Sequence, residues 1–469
     1  MPEKDLRKKA IKEIEKYFDE GSFSKELNSR IRFQTISKDQ NKKPELYRYF
    51  KENLVPFFSE LGFECKISEN PIKNSGPILT AIRVESINLP TIFTYAHADV
   101  VPGHEGRWLN GTSPWEIVEK NNKLYGRGTA DNKGQHTINF SALKNVLKIR
   151  GFLGFNIKVL IETGEEIGSP GLEEFCKENA TFLSSDLLIA SDGPRLNSSN
   201  PSIYLGSRGE ISFNLTLNLR EGEHHSGNWG GLLSNPAIIL SNAISSIINK
   251  NGEILVKELK AKSLPASIRN SINKLKIKHD RGSPKIDTFW GERGKNSTEK
   301  LYGSNTFEIK AWETGNPKQP MNIIPAKAVA YAHMRFIKET RVKDIIPALR
   351  KHLNKNGFEK IKIELNGIPR EASRLNPDHP YVKWTLDSIK RTSKLNVDVI
   401  PNIGSTIPND IFSDHFKIPT LWIPHSYGGC SQHAPNEHIL KNIARNALKI
   451  MTGIWWDFGE KPPKILKEC

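Results

Sequence analysis

Residues 91–101 read TIFTYAHADVV. Six mostly apolar, β-branched or aromatic residues run into His97, with Asp99 two positions later. A short continuous apolar run of this kind predicts a strand buried on both faces. Three further segments have the same texture: ILTAIRVE (78–85), FNIKVLIETG (155–164) and DLLIASDG (186–193). Helix candidates lie between them at 134–149 (GQHTINFSALKNVLKI) and 170–179. Strands alternating with helices predict an α/β sheet covered on both sides, with its chemistry at the carboxyl ends of the strands.

The pattern extends in both directions. At the N-terminus, Leu6, Ile11, Ile14 and Phe18 fall near one face of an expected amphipathic helix. Near 203 the texture changes. SIYLGSRGEISFNLTLNLRE alternates apolar and polar residues, as a half-exposed antiparallel strand does. A Gly/Asn-rich loop (HHSGNWGGLLSNP), a helix at 236–249 and a basic stretch to about 300 follow. Then come AVAYAHMRF (328–336), a helix at 341–355 and the KIKIEL run. From about 375 the first texture returns: a helix at 380–393, a strand at 395–401, the apolar IPTLWIPHS and a last helix at 436–456. The simplest organisation is one α/β domain (1–204 and 373–469) interrupted by an inserted α+β domain (205–372).

The bulk properties fit this reading. A chain of 469 residues exceeds what one core usually supports, so two domains are expected. Hydrophobic residues at 37% and charged residues at 26% indicate a globular protein rather than a disordered one. No window approaches 18 uninterrupted apolar residues, which predicts no membrane span. The charged N-terminus lacks the apolar core of a secretory signal, and Cys65, Cys176, Cys430 and Cys469 form no CxxC pair. A reducing cytoplasm is the expected compartment. The net charge of +16 raises the question of nucleic acid, but basic runs such as LKAKS and KLKIKH carry no interleaved aromatics and no nucleic-acid motif. A solvated basic surface is the expectation, with no nucleic-acid partner.

Five segments of the α/β portion carry metal-competent side chains. His97 and Asp99 follow a strand, and Asp131 precedes a helix in YGRGTADNKG. Glu165 and Glu166 end FNIKVLIETGEE, Asp192 ends DLLIASDG, and His433 lies in CSQHAPNEH. Each alone reads as an ordinary loop residue; their gathering at strand ends is the argument. Nitrogen and oxygen donors without thiolates suit zinc, with manganese or cobalt as alternatives. Two histidines and three carboxylates suffice for two divalent ions if one carboxylate bridges. Glu165, beside Glu166, is then the natural proton acceptor, and Asp99 is placed to orient His97. His104, His136, His279 and His425 have no spacing that demands a metal, though the loop after His425 leads to His433.

HADVVP, LYGRGTADNKG, ETGEEIGS, SDGPR and QHAPNEH, in that order, resemble the zinc aminoacylase/carboxypeptidase superfamily, most closely its carnosine-type dipeptidase branch. The resemblance implies a zinc-exopeptidase-like catalytic domain with an inserted ferredoxin-like lid that also dimerises. It implies that His97 and Asp192 bind one metal, that Glu166 and His433 bind the other, and that Asp131 bridges through a residue followed by a cis peptide. Glu165 would be the general base and Asp99 the support of His97. HHSGNWGG resembles a loop whose histidine, His225 by motif register rather than His224, reaches a partner subunit's site. NIIPAKAVAYAHMRF resembles a lid strand placing Asn322 and Arg335 toward substrate. NIGSTIP resembles a substrate loop presenting Ser405, with Ile403 standing where the pattern has Gly. The implied reaction is hydrolysis of a dipeptide or a C-terminal residue. An aminoacylase-type deacylase is the alternative, and a catalytically silent scaffold would lack ligands that are present here. The resemblance assigns no role to the basic 257–300 stretch.

Overall fold

A computed structural model describes residues 3–277 and 284–463. His279, Cys469 and part of the RGSPKIDTFWGERGK run lie outside the described residues. The first sheet has eight strands. They are ordered Glu64–Ser68, Ile78–Arg83, Asn156–Glu162, Thr91–His97, Leu187–Ala190, Thr420–Trp422, Ser202–Tyr204 and Asp398–Ile400. Thr91–His97 is parallel to both neighbours. The two outermost strands on one side join antiparallel, which makes the sheet mixed.

The alternation of strand side chains explains why 91–97 is apolar throughout. Ile92 and Ala96 enter a core built with Lys133–Arg150 and Lys441–Glu460, through Leu143, Val146, Ile450 and Trp455. Phe93 and Tyr95 enter a second core on the other face with Phe175, Phe412 and Trp422. Both faces are covered, as expected. The last helix begins at Lys441 rather than 436, because His438–Leu440 pairs with Lys123–Tyr125.

The alternating segment after 202 is not one strand. Ser202–Tyr204 belongs to the large sheet, and Gly206–Ser207 pairs with Ser373–Arg374. Gly209–Asn218 opens a second sheet of four antiparallel strands, ordered Thr306–Thr314, Lys327–Phe336, Gly209–Asn218 and Lys362–Leu365. The chain thus leaves and re-enters the large sheet along one short pair of strands. Gly206 is required there: a Cβ would stand 2.0 Å from the Ser373 carbonyl oxygen. Helices Pro236–Ile247 and Val342–Lys355 cover one face of the small sheet, through Leu240, Ile247, Leu349 and Leu353 against Phe213 and Leu215. Asn235 caps the first of these, accepting the Ala237 and Ile238 amides before Pro236 fixes the opening turn.

The basic 257–300 stretch divides between the two sheets: Leu259 packs in the core of the small one. Its helix Ala266–Lys274 buries Ile268 and Ile272 in the core of the large sheet, and Ser271 donates to the Val399 carbonyl at 3.0 Å. Among the described residues, no helix is long and apolar enough to cross a membrane.

Candidate metal centre

The strand-end residues expected to gather do so. The His97 imidazole is fully buried, and its Nε2 lies 2.9 Å from Asp131 Oδ1, 3.8 Å from Asp192 Oδ2 and 3.9 Å from Glu165 Oε2. His433 Nε2 lies 3.0 Å from Asp131 Oδ2 and 3.0 Å from Glu166 Oε2. One oxygen of Asp131 therefore faces each histidine. Two trios able to hold a cation result, His97–Asp131–Asp192 and Asp131–Glu166–His433, the donor atoms of each lying within 4.8 Å of one another. Asp131 is common to both, and the Asp131–Asn132 peptide is cis.

The backbone around these ligands is tied to carboxylates. Asp99 accepts the Glu165 amide at 3.2 Å and the Glu166 amide at 3.1 Å, and its own carboxylate stands 3.4 Å from His97 Nδ1. Glu437 accepts the amides of Gly128, Ala130 and Asp131 and pairs with Arg127 at 2.6 Å. Gln432 donates to Asp131 Oδ2. Sequence reasoning assigned no role to Glu437 or Gln432, although both stand inside the QHAPNEH motif. Their signal was a hydrogen-bonding side chain beside a ligand.

Packing four carboxylates together has an electrostatic consequence. Burial, and then the charges of Asp192, Glu166 and Asp131, hold Glu165 well above the usual carboxylate range, with His97 opposing. Burial and Asp131 lift Glu166 to about 7, and burial and Asp131 lift Asp192 to about 6. Hydrogen bonds that His433 donates to Asp131 and Glu166 raise it to about 10. Burial opposes protonation of His97, but its bonds to Asp131 and Asp99 outweigh that and raise it well above its ordinary value. Without another cation, the cluster balances its charge by holding protons. Glu166 Oε1 is moreover enclosed without a hydrogen-bond partner. An enclosed, unpaired carboxylate oxygen among oxygen and imidazole donors fits a pair of divalent cations.

The centre opens into a cavity of about 770 Å³, lined by Asp131, Glu165, Glu166, Asp192 and His433, and further out by Arg335 and Ser405. Arg335 donates to Thr406 Oγ1 at 2.9 Å and pairs with Glu210 at 3.2 Å. Ile403 lines the same cavity and fills the space over Gly193, where a Cβ would stand 2.4 Å from its Cδ1. His225 and Asn322 are brought together elsewhere. Both are exposed, the Ser226 amide donates to the Asn322 carbonyl at 2.8 Å, and neither lines the cavity. His425 is fully buried, its Nε2 3.0 Å from both Ser191 and Asn139, and is no part of either trio. Arg195, Arg370, Tyr204 and Glu210 also line the cavity, and sequence reasoning gave none of them a role.

A doubly covered mixed sheet with a two-trio donor cluster at its strand ends defines a dinuclear metallohydrolase. Residues 93–457 match the model of peptidase family M20/M25/M40. The chain belongs to that family and is a metallopeptidase acting on peptide bonds. It is 26% identical over 380 residues to the Beta-Ala-His dipeptidase of Rattus norvegicus, covering 77% of this chain and 76% of that one. It is 25% identical over 457 residues to the Cys-Gly metallodipeptidase of Schizosaccharomyces pombe, covering 91% and 93%. The solved structure of an M20 family metallo-carboxypeptidase from Sulfolobus solfataricus superposes with a TM-score of 0.77 at 25% identity, covering 93% of this chain and 98% of that one.

Proposed function

We propose that the protein is a dinuclear zinc dipeptidase. The sharing of Asp131 between two donor trios carries this reading, and the dipeptidases among its relatives support the substrate class. His97 and Asp192 would hold one ion and Glu166 and His433 the other, with Asp131 common to both donor sets. Two divalent ions bound there would supply a water activated at neutral pH and a Lewis acid for the carbonyl. Glu165 takes the proton of the attacking water and passes it to the leaving amine. Its place at the cavity, 3.9 Å from His97 and beside Glu166, suits a base that must also release as an acid. Asp99 orients His97 and holds the Glu165–Glu166 turn. Arg335 and Ser405 meet the substrate carboxylate from the cavity wall.

In the same reading, residues 205–372 form a lid and dimerisation domain. His225 and Asn322, tied together but away from this chain's cavity, serve the partner's site, where the imidazole meets the developing oxyanion.

The deciding experiment is a panel of dipeptides and their N-acyl amino-acid analogues, run on chelator-stripped protein restored with zinc, manganese or cobalt. Hydrolysis of the free-amino dipeptides is expected; activity confined to the acyl analogues would select the deacylase. Glu165→Gln is expected to lower kcat about 100- to 10,000-fold while metal content by mass spectrometry stays at the wild-type level. Full activity in that variant would remove Glu165 as the base.

A further inference from the structure

The cavity wall carries three arginines, and they differ in how their charge is satisfied. Arg335 has a carboxylate partner in Glu210 and a hydroxyl partner in Thr406. Arg370 donates to the Gly168 and Ser169 carbonyls and stands 4.0 Å from Glu173. Arg195 is only 3% exposed. Its single guanidinium hydrogen bond runs from Nε to the Pro424 carbonyl at 3.1 Å, and it has no ion pair among the described residues. Burial alone pulls its pKa down to about 10, with no nearby anion to offset it. A buried guanidinium carries a large desolvation cost unless an anion meets it.

The position of Arg195 is set by the site itself. It follows Asp192 by three residues, in a short strand, Pro194–Arg195, paired with Ser426–Tyr427. It is the last residue of the SDGPR motif, whose aspartate the metal centre uses and whose arginine it does not. The floor of the same cavity is acidic and belongs to the cations. A cationic group in the wall, whose guanidinium makes no bond beyond Nε among the described residues, is placed to receive a carboxylate of the substrate.

We propose that Arg195 is a specificity residue that pairs with a second carboxylate on the substrate, so that the enzyme prefers peptides bearing an acidic side chain. This rests on the peptidase reading above and adds a substrate class to it. The test compares kcat/KM for dipeptides carrying Glu or Asp with their Gln or Asn counterparts, at each of the two positions, in the wild-type holoenzyme. At one position the acidic peptide is expected to exceed its amide by about 10- to 100-fold, the range of one charge-assisted bond. R195Q should bring that ratio near unity, and R195K should retain part of it. A wild-type ratio near unity at both positions overturns the proposal, as does an R195Q enzyme that keeps the preference. If R195Q fails to fold, the wild-type panel and R195K decide the matter. A binding arm separates the two readings. Glutarate, but not its half-amide, should raise the melting temperature of wild type and do so less in R195K, whether or not any peptide is cleaved. Hydrolysis of no peptide sinks the dipeptidase reading, whereas equal stabilisation by glutarate and its half-amide sinks the role of Arg195.

Discussion

Asp99 is a single carboxylate with three neighbours to hold. It is fully buried, accepts two successive amides of the Glu165–Glu166 turn, and faces His97 Nδ1. A ligand imidazole held on its far nitrogen is fixed in tautomer and orientation. Asp99→Asn keeps the size but removes the charge and places an amide donor against one of those N–H groups. The expected result is a loss of metal affinity or turnover of about 10- to 100-fold, measured by chelator competition and steady-state kinetics. A metal affinity and kcat equal to wild type would show that Asp99 only supports the turn. Arg195 makes the complementary point. Its motif was visible in the sequence, but its lack of a carboxylate partner among the described residues is a fact about space: the one carbonyl it reaches, that of Pro424, is distant in the chain.

At the scale of the element, the loop before Lys133–Arg150 carries Asp131, and Gly134 lets the helix start where it does. The Gly134 amide donates to the Gly128 carbonyl, and a Cβ on Gly134 would stand 1.9 Å from the Thr129 carbonyl oxygen. The obstacle is backbone, so the loop has to move. Gly134→Ala is expected to cost roughly 1–3 kcal/mol of stability, as overpacking does, and to weaken metal binding because Asp131 moves with the loop. Thermal melts with and without zinc check both parts; an unchanged melt and an unchanged zinc response would show the loop to be compliant. The 202–218 segment shows how one texture can hide two elements. Its alternation was legible, but the break at Gly206 came from the Ser373 carbonyl, more than 160 residues away.

At the scale of the molecule, the metal centre couples protons to cations. Without metal, His433 holds its proton to about pH 10 and Glu166 to about pH 7, while His97 is raised well above its ordinary value. Cation binding must displace these protons, so apparent affinity should rise with pH from about 6, where Asp192 titrates, to about 10, where His433 does. Proton release measured in weakly buffered zinc titrations checks the sign; uptake of protons would contradict it. Zinc at a hundredfold excess over its dissociation constant should stabilise the fold by about 2.7 kcal/mol for each site filled, a gain that chelator removes. The proposed sharing of sites between subunits has its own test. His225→Ala and Glu165→Gln are each expected to be nearly inactive as homodimers. Their equal mixture after subunit exchange should regain about a quarter of wild-type activity, since half the dimers are mixed and each mixed dimer has one intact site. No recovery in a mixture shown to contain heterodimers would place His225 outside the partner's site.

The sequence by itself determined the α/β alternation, the double burial of 91–97 and the candidate donor residues, because hydrophobic period and strand-end position are local properties. His97, Asp131, Glu166, Asp192 and His433 were legible for that reason. Only the tertiary structure decided that Asp131 turns one oxygen to each histidine, that Glu437 and Gln432 steady it, and that the 257–300 stretch lends a helix to the large sheet. It also decided that one arginine of the cavity wall has no carboxylate partner among the described residues. These facts depend on sheet order and on contacts between residues 301 and 307 positions apart. Spacing along the chain does not encode such distances; packing of the two cores does.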